Sequence, residues 1–379
     1  MKYCVRCVLP DTRPGLTLDA DGVCSGCRAH EDKHNGVVDW TGRRARLESI
    51  IAEAKSSSGY DCIVPVSGGK DSTWQVIKCL QYGMRVLAVT WKTPARTDIG
   101  QRNLDNLVRL GVDHIDYTIN PDVERRFMLR ALERVGDSGL PMHMALYAIP
   151  LRLAVAMNVP LVVWGESPHM EYGGSVEDRQ RDRLDSEWLG RHGILQGTSI
   201  DDWIGGELTA KDLDAYRLPD ARELEARSIR SIFLGYYLPW DPEESLRAAR
   251  AHGFTARAEG PKVGYYDYAD IDCDFISVHH YFKWLKFGFT RLFDNLALEI
   301  RNGRMTREEA VRVIAARGDE VPRDDIARLC RFLRISEARF WQIAETFRNP
   351  AVWVREAGVW TIPGFLVPDW QWAGAATGR

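Results

Sequence analysis

The sequence predicts an α/β protein built on a doubly wound parallel sheet, with a cysteine-rich head before it and a helical region after it. Three observations carry this. Short apolar runs alternate with amphipathic stretches from about residue 60 to 165. Four of the eight cysteines fall at positions 4, 7, 24 and 27. From about residue 279 the pattern becomes consecutively helical, with Pro322 and Pro350 marking breaks.

Taken in order, residues 1–35 form a Cys-, Gly- and Asp-rich head without helical periodicity. Cys4-Val5-Arg6-Cys7 and Cys24-Ser25-Gly26-Cys27 give a C-x2-C-x16-C-x2-C spacing, which suits a tetrahedral four-thiolate zinc site. Such a closed site has no open position for a substrate, so a structural Zn2+ held by Cys4, Cys7, Cys24 and Cys27 is expected. Gly22-Val23-Cys24-Ser25-Gly26 also spells a glutaminase-type elbow. That elbow needs a preceding strand and a metal-free nucleophile, and neither is present in the pattern.

A helix is expected over 40–55, closed by Ser56-Ser57-Ser58-Gly59. Buried strands read at 61–66, 85–91, 114–119 and 160–164, with helices at 73–82, 99–110, 122–135 and 144–157 between them. The pattern breaks down over 167–230, where Gly173-Gly174, Gly205-Gly206 and a charged run at 177–187 suggest a long irregular insertion able to close over a substrate. A strand-like stretch follows at 231–238, then helices at 279–302, 306–317, 323–333 and 336–348. The tail, 350–379, carries Trp353, Trp360, Trp370 and Trp372 and reads as an arm packed on the body. The expected division is a zinc knuckle at 1–35, a nucleotide-binding α/β domain at 36–278 with its insertion at 167–230, and a helical region at 279–379.

Composition narrows the class. With 50 basic and 53 acidic residues the net charge is −3, so no basic field draws the whole molecule to nucleic acid. The chain opens Met1-Lys2-Tyr3-Cys4, without an apolar leader, and the longest apolar stretch, 145–164, is interrupted by Pro150, Arg152, Asn158 and Pro160. A cytoplasmic protein without a membrane partner is expected.

The chemistry concentrates where the 61–66 strand runs into Ser67-Gly68-Gly69-Lys70-Asp71-Ser72-Thr73. Two glycines let backbone N–H groups turn toward an anion, and Ser67, Ser72 and Thr73 add hydroxyls. The helix N-terminus and Lys70 add positive charge. This is a pyrophosphate cradle, but not a Walker A loop. Asp71 fits an anion cradle only as a Mg2+ ligand or a helix cap. Gly165-Glu166 follows the 160–164 strand at its carboxyl end, where ligands of open α/β sheets bind, so Glu166 should share the crevice. Thr90 and Trp91 end the second strand and are placed against adenine or ribose.

Ser-Gly-Gly-Lys-Asp-Ser after a first strand resembles the PP-loop of the ATP pyrophosphatases. Within that superfamily the chain is similar to the N-acetyl sugar amidotransferases of bacterial surface-glycan synthesis. The resemblance rests on Cys4-Val5-Arg6-Cys7-Val8-Leu9-Pro10-Asp11-Thr12-Arg13-Pro14-Gly15, on the loop, on Gly165-Glu166-Ser167-Pro168 with Glu171-Tyr172-Gly173-Gly174, and on His280-Tyr281-Phe282-Lys283-Trp284-Leu285-Lys286-Phe287-Gly288. It implies ATP with Mg2+, adenylation of an acetamido oxygen, and displacement of AMP by ammonia to give an acetamidine. It also implies a small-molecule sugar substrate, with Glu171, Tyr172 and Gly173 beside it. Asp71, Glu166, Lys283 and Lys286 are then the catalytic candidates. Lys283 and Lys286 share a helix face and would stabilise leaving pyrophosphate, unless they merely snorkel over apolar surface. Arg291, one turn on, could hold a substrate carboxylate or phosphate. The adjacent His279 and His280 diverge on a helix and are expected to pack. With no cysteine in a glutaminase context, ammonia is expected from a separate glutaminase, with a barrel-type channel subunit as the family suggests. The other readings are a tRNA-thiolating PP-loop enzyme and a non-catalytic nucleotide sensor. The first needs sulfur-handling cysteines near the loop; the second leaves the lysines and Glu166 idle.

Overall fold

The computed structural model describes residues 1–55, 59–173, 181–182, 184 and 197–372. Ser56, Ser57, Ser58, Gly174, most of the charged run at 177–187 and the side chain of Tyr172 lie outside the described residues.

In chain order the elements are α1 (Ser25–His34), α2 (Trp40–Ala54), β1 (Cys62–Pro65), α3 (Lys70–Gln81), β2 (Val86–Trp91), α4 (Asp98–Val108), β3 (Asp113–Tyr117), α5 (Pro121–Val135), α6 (Leu140–Met157), β4 (Leu161–Trp164) and α7 (Pro168–Tyr172). After two short 3-10 turns come α8 (Ala221–Ala226), β5 (Arg230–Phe233), α9 (Leu234–Tyr237), α10 (Pro242–Arg250), α11 (Ile276–Phe287), α12 (Arg291–Arg301), α13 (Arg307–Arg317), α14 (Arg323–Leu333), α15 (Glu337–Thr346) and a hairpin of β6 (Val354–Glu356) with β7 (Val359–Thr361).

The five main strands form one parallel sheet in the order β3-β2-β1-β4-β5. β1 and β4 are buried throughout, which is why they read as unbroken apolar runs rather than alternating ones. β3 lies at an edge and exposes Asp113 and Asp116. The chain steps outward from β1 through β2 to β3, then returns to lay β4 on the other flank of β1. The loops leaving β1 and β4 therefore diverge at the switch point, where a ligand crevice opens outside the strands' carboxyl ends.

Several expected elements are redrawn. The head contains a ten-residue helix, α1. Its buried face is Gly26, Cys27, Ala29 and Lys33, too small and polar to show a helical period. The 279–302 helix is two helices, because Gly288 takes φ 70° and an added Cβ would sit 2.5 Å from Met1 Cε and 2.8 Å from Val352 Cγ1. The 231–238 strand stops at Phe233 and turns into α9. The described part of the 167–230 insertion is not irregular cover alone. Ile200, Trp203, Leu208, Leu213 and Tyr216 join the sheet's core, and Arg130 donates to the carbonyls of Trp203 and Gly205.

The head is not self-contained either, since Val8, Leu9, Leu16 and Val23 share a core with Phe289, Leu292, Phe293 and Leu296. The tryptophan tail packs as an arm: Trp353, Trp370 and Trp372 gather around Trp284 and, with Trp360 and Trp341, wall a cavity of about 290 Å3. Among the described helices, α6 is long and apolar enough by composition to cross a membrane. It carries Pro150 in its interior and packs on β1, β2 and β4 beside α5.

Candidate active site

The loop from Ser67 to Gly69 joins β1 to α3 at the switch point. Gly68 has φ 86°, and a Cβ there would lie 2.7 Å from the backbone N of Leu104, so both its conformation and its contact with α4 require glycine. Gly69 precedes α3 without a side-chain cap, which leaves the first-turn amides of the helix to an anion. Ser67 is exposed, and its hydroxyl accepts from the Gly69 N–H at 3.3 Å. Ser72 and Thr73 are buried, and both hydroxyls donate to the Gly69 carbonyl at 3.0 Å. They brace the loop rather than presenting donors to a ligand. Lys70 is also buried. Its ammonium lies 2.6 Å from Asp71 Oδ1, over the rings of Trp240 and Tyr268. Trp240 Nε1 donates to the same Asp71 oxygen at 3.0 Å.

From the other side of the crevice, Gly165 abuts Gln75 of α3, where a Cβ would come within 2.7 Å of Nε2. Glu166 follows. Burial, and then the charge of Asp71, push its carboxyl up to about 7, with Lys70 opposing the rise. Two carboxylates that repel one another beside an uncapped helix N-terminus are a donor set that fits Mg2+, because the ion would relieve that repulsion; Asp71 and Glu166 would hold it. Glu171 is placed differently. Both its oxygens are taken by Lys33 Nζ of α1, at 2.7 and 2.9 Å, in a buried ion pair. Gly173 lies against the same helix, where a Cβ would fall 2.8 Å from Gly26 N. The Glu171–Gly173 segment is thus the seat of the head on the sheet.

Residues 262–364 match the family model described as the LPS biosynthesis protein WbpG-like, C-terminal domain. No curated protein matches the chain. Among solved structures, an NMN synthetase from Francisella tularensis is similar at a TM-score of 0.27 and 15% identity, covering 56% of this chain and 96% of that one, a likeness too loose to carry an argument. Within the matched segment Tyr268 lies under the Lys70 ammonium and Asp272 packs against Gly100 of α4, while Asp270, His280, Lys283 and Arg291 gather in one charged cluster.

The two lysines expected to act together point to different neighbours. Lys283 lies 3.7 Å from Asp294 Oδ2, and Arg13 Nε donates to Oδ1 of the same carboxylate at 2.7 Å. Thr12 donates to the Phe287 carbonyl, so the 4–15 and 280–288 segments, distant in sequence, meet here. Lys286 donates to the Val135 carbonyl at the end of α5 and stands over Phe347. Burial lowers both lysines' pKa values, and nearby Asp294 and Asp137 respectively oppose that. Arg291 Nε donates to Asp270 at 2.9 Å, and His280 approaches the other Asp270 oxygen at 3.4 Å. The rings of His279 and His280 meet edge-to-face at 5.4 Å rather than diverging, and His279 pairs with Asp137 rather than simply packing. Thr90 spends its hydroxyl on His114 at 2.9 Å, while Trp91 packs at the edge of the sheet core.

The four sulfurs of Cys4, Cys7, Cys24 and Cys27 lie within 4.8 Å of one another, all buried, a set that fits one tetrahedral Zn2+. Crowding makes them compete for protons: hydrogen bonds from neighbouring thiols push Cys4 and Cys24 down, and Cys7 and Cys27 up. Arg301 crosses from this cluster to the site, with Nη2 3.5 Å from Cys24 Sγ and Nη1 donating to the Glu171 carbonyl at 2.7 Å. Its guanidinium is why Gly26 must be glycine, since a Cβ would fall 2.4 Å from Nη2.

Sequence reading missed Lys33, Asp137, Trp240, Tyr268 and Asp272. The signal for the last two was present in Tyr265-Tyr266-Asp267-Tyr268-Ala269-Asp270-Ile271-Asp272-Cys273-Asp274, a dense run of Tyr and Asp outside any periodic element.

Proposed function

We propose that the chain is an ATP-dependent amidotransferase of bacterial surface-glycan synthesis. In this reading the loop holds the β- and γ-phosphates, and the acetamido oxygen of an N-acetyl sugar attacks the α-phosphorus. Pyrophosphate leaves, and the amide nitrogen loses its proton to give an O-adenylyl imidate. Ammonia then adds at the imidate carbon, the carbon–oxygen bond breaks, and AMP departs with the oxygen to leave an acetamidine. An amide oxygen is a poor leaving group, and adenylation corrects that. The chain's own task is to position the reactants and stabilise charge.

The observation that carries the reading is the uncapped N-terminus of α3 behind Gly68-Gly69, set at the sheet's switch point with buried Lys70 and half-buried Asp71 and Glu166 around it. The WbpG-like match over 262–364 supports the glycan context. Ammonia would come from a separate glutaminase, with a barrel-type subunit as its channel. Mg2+ would supply charge neutralisation on the phosphates, and Zn2+ would fix the head. A thiolating enzyme is the second reading, favoured by the pairing of the four-cysteine head with the loop, and Cys273, which follows Asp272, is the cysteine it would draw on. Burial pushes that thiol up to about 12, so it stays protonated, and its neighbour is Thr93 rather than a second cysteine.

The test incubates the full chain with ATP, Mg2+, ammonium and a panel of nucleotide-linked diacetamido sugars and nonulosonic acids. AMP and pyrophosphate, with one oxygen lost and one NH gained in a sugar, support the reading. ADP as product, or AMP formed only with tRNA and a sulfur donor, would overturn it.

A further inference from the structure

Beyond the carboxyl end of β2 lies a small cavity lined by Trp91, Thr93, Ser138, Gly139, Cys273 and His279. Its volume is about 10 Å3, which admits one molecule the size of water or ammonia. Met128, Met142 and Phe275 make the rest of the wall apolar. Ser138 is 1% exposed, and its hydroxyl has no hydrogen-bond partner among the described residues. A buried polar group left so is costly unless a small polar molecule satisfies it.

His279 completes the arrangement. Asp137 Oδ1 lies 2.9 Å from its Nδ1 and also accepts the Gly139 N–H at 2.8 Å, which fixes both the ring and the loop that carries Ser138. With Asp137 accepting from Nδ1, the neutral ring carries its lone pair on Nε2. Burial raises Asp137, but His279, His143 and Lys286 hold it well below the usual carboxylate range, so it stays anionic. The other groups facing the ring are accounted for. His143 stacks edge-on and is pushed down to about 4 by burial and by His279. His280 touches its other side and is pushed down to about 3 by burial. Lys283 and Lys286 supply the nearby positive charge, the latter tied to the Val135 carbonyl. Cys273 remains a neutral thiol. The cavity wall at Cys273 is one residue from Asp272, whose Cα packs on Gly100 of α4, and the Gly100 carbonyl in turn lies against Gly68 of the loop.

We propose that this cavity seats the ammonia substrate and that His279, oriented by Asp137, is the base that deprotonates ammonium there. This rests on the amidotransferase reading. Near neutral pH ammonia is almost all ammonium, which has no lone pair to attack with. Ammonium gives a proton to His279 Nε2, leaving neutral ammonia in the cavity and imidazolium paired with the Asp137 carboxylate. The ammonia lone pair then forms the new carbon–nitrogen bond as the bond to AMP breaks. The Ser138 hydroxyl holds the nitrogen in place.

The experiment uses the full chain and the acceptor found in the screen above, varying ammonium at saturating ATP from pH 6.5 to 9.5. His279→Ala should lower ammonium-dependent turnover about 100-fold at pH 7. The deficit should shrink as pH rises and free ammonia accumulates. Hydroxylamine, a nitrogen nucleophile already neutral at pH 7, should restore turnover to near the wild-type rate, with an amidoxime as product. Ser138→Ala should raise the KM for ammonium about tenfold with little change in kcat. Acceptor-dependent exchange of pyrophosphate into ATP should survive in both variants, which also reports that they fold. A deficit independent of pH, or equal losses with ammonium and hydroxylamine, would overturn the assignment while leaving the amidotransferase reading standing. Absence of AMP formation by the wild type would remove the reading itself.

Discussion

Replacing Lys33 by Met tests how the head is seated against the Glu171–Gly173 segment. Lys33 and Glu171 are 8% and 6% exposed, and the ammonium contacts both carboxylate oxygens as well as lying 3.4 Å from the Trp240 carbonyl. Met keeps most of the side-chain volume but leaves a buried carboxylate without a counter-ion. Removing one partner of a buried pair costs about 3–5 kcal/mol, roughly a hundredfold to a few thousandfold in the folded-to-unfolded ratio. The cost should depend on pH in a definite direction. Burial already holds the Glu171 pKa above the ordinary carboxylate value, and Lys33 opposes that rise. Without Lys33 the native state binds a proton that the unfolded state has released, so stability falls as pH rises through the carboxylate range and beyond. Urea unfolding of Lys33→Met should therefore show a larger deficit at pH 8 than at pH 5. Lys33→Met combined with Glu171→Gln should recover at least about 2 kcal/mol of the loss, a coupling within reach of a double-mutant cycle. Simple additivity of the two substitutions, or a deficit that does not change between pH 5 and 8, would refute the placement of this pair.

Glu166→Gln should leave stability unchanged near pH 4 and raise it above pH 7. The wild-type carboxyl, raised to about 7, binds its proton more tightly in the native than in the unfolded state, so wild-type stability falls as pH climbs from the unfolded value through 7; thermal melts across that range check the sign. Purified chain should carry one zinc by elemental analysis, and Cys24→Ser should release it and loosen the head, read as new protease cuts before residue 40. Gly68→Ala should lose about 1–2 kcal/mol from the left-handed backbone alone. It should also lose most AMP formation, because the added Cβ meets Leu104 backbone rather than a movable side chain; a fully active Gly68→Ala would show that the loop is not held as described.

Much of the candidate site was legible because its signals are local. A strand, a Gly-Gly turn and a helix start occupy a dozen consecutive residues, and their order alone puts a candidate anion-binding turn at a strand's carboxyl end. Two Cys-x-x-Cys pairs likewise announce a metal by spacing, and the structure gathers their sulfurs. The parallel sheet was readable from unbroken apolar runs, since burial on both faces removes alternation.

Other features exist only through contacts between distant residues. No pattern in α1 marks Lys33 as the partner of Glu171, 138 positions later. Nor does any pattern pair Asp137 with His279, or set Asp272 against Gly100. The break at Gly288 follows from Met1, Val352 and Ile362 closing on it, not from helix propensity nearby. Lys283 and Lys286 share a face by helical arithmetic, yet one meets Asp294 and the other Val135, because different neighbours cover the two ends of that face. Hydrophobic period and turn chemistry act over a few residues and so are written in sequence. Which charges are buried together, and which polar atoms are left to bind something else, is fixed only when separate segments pack.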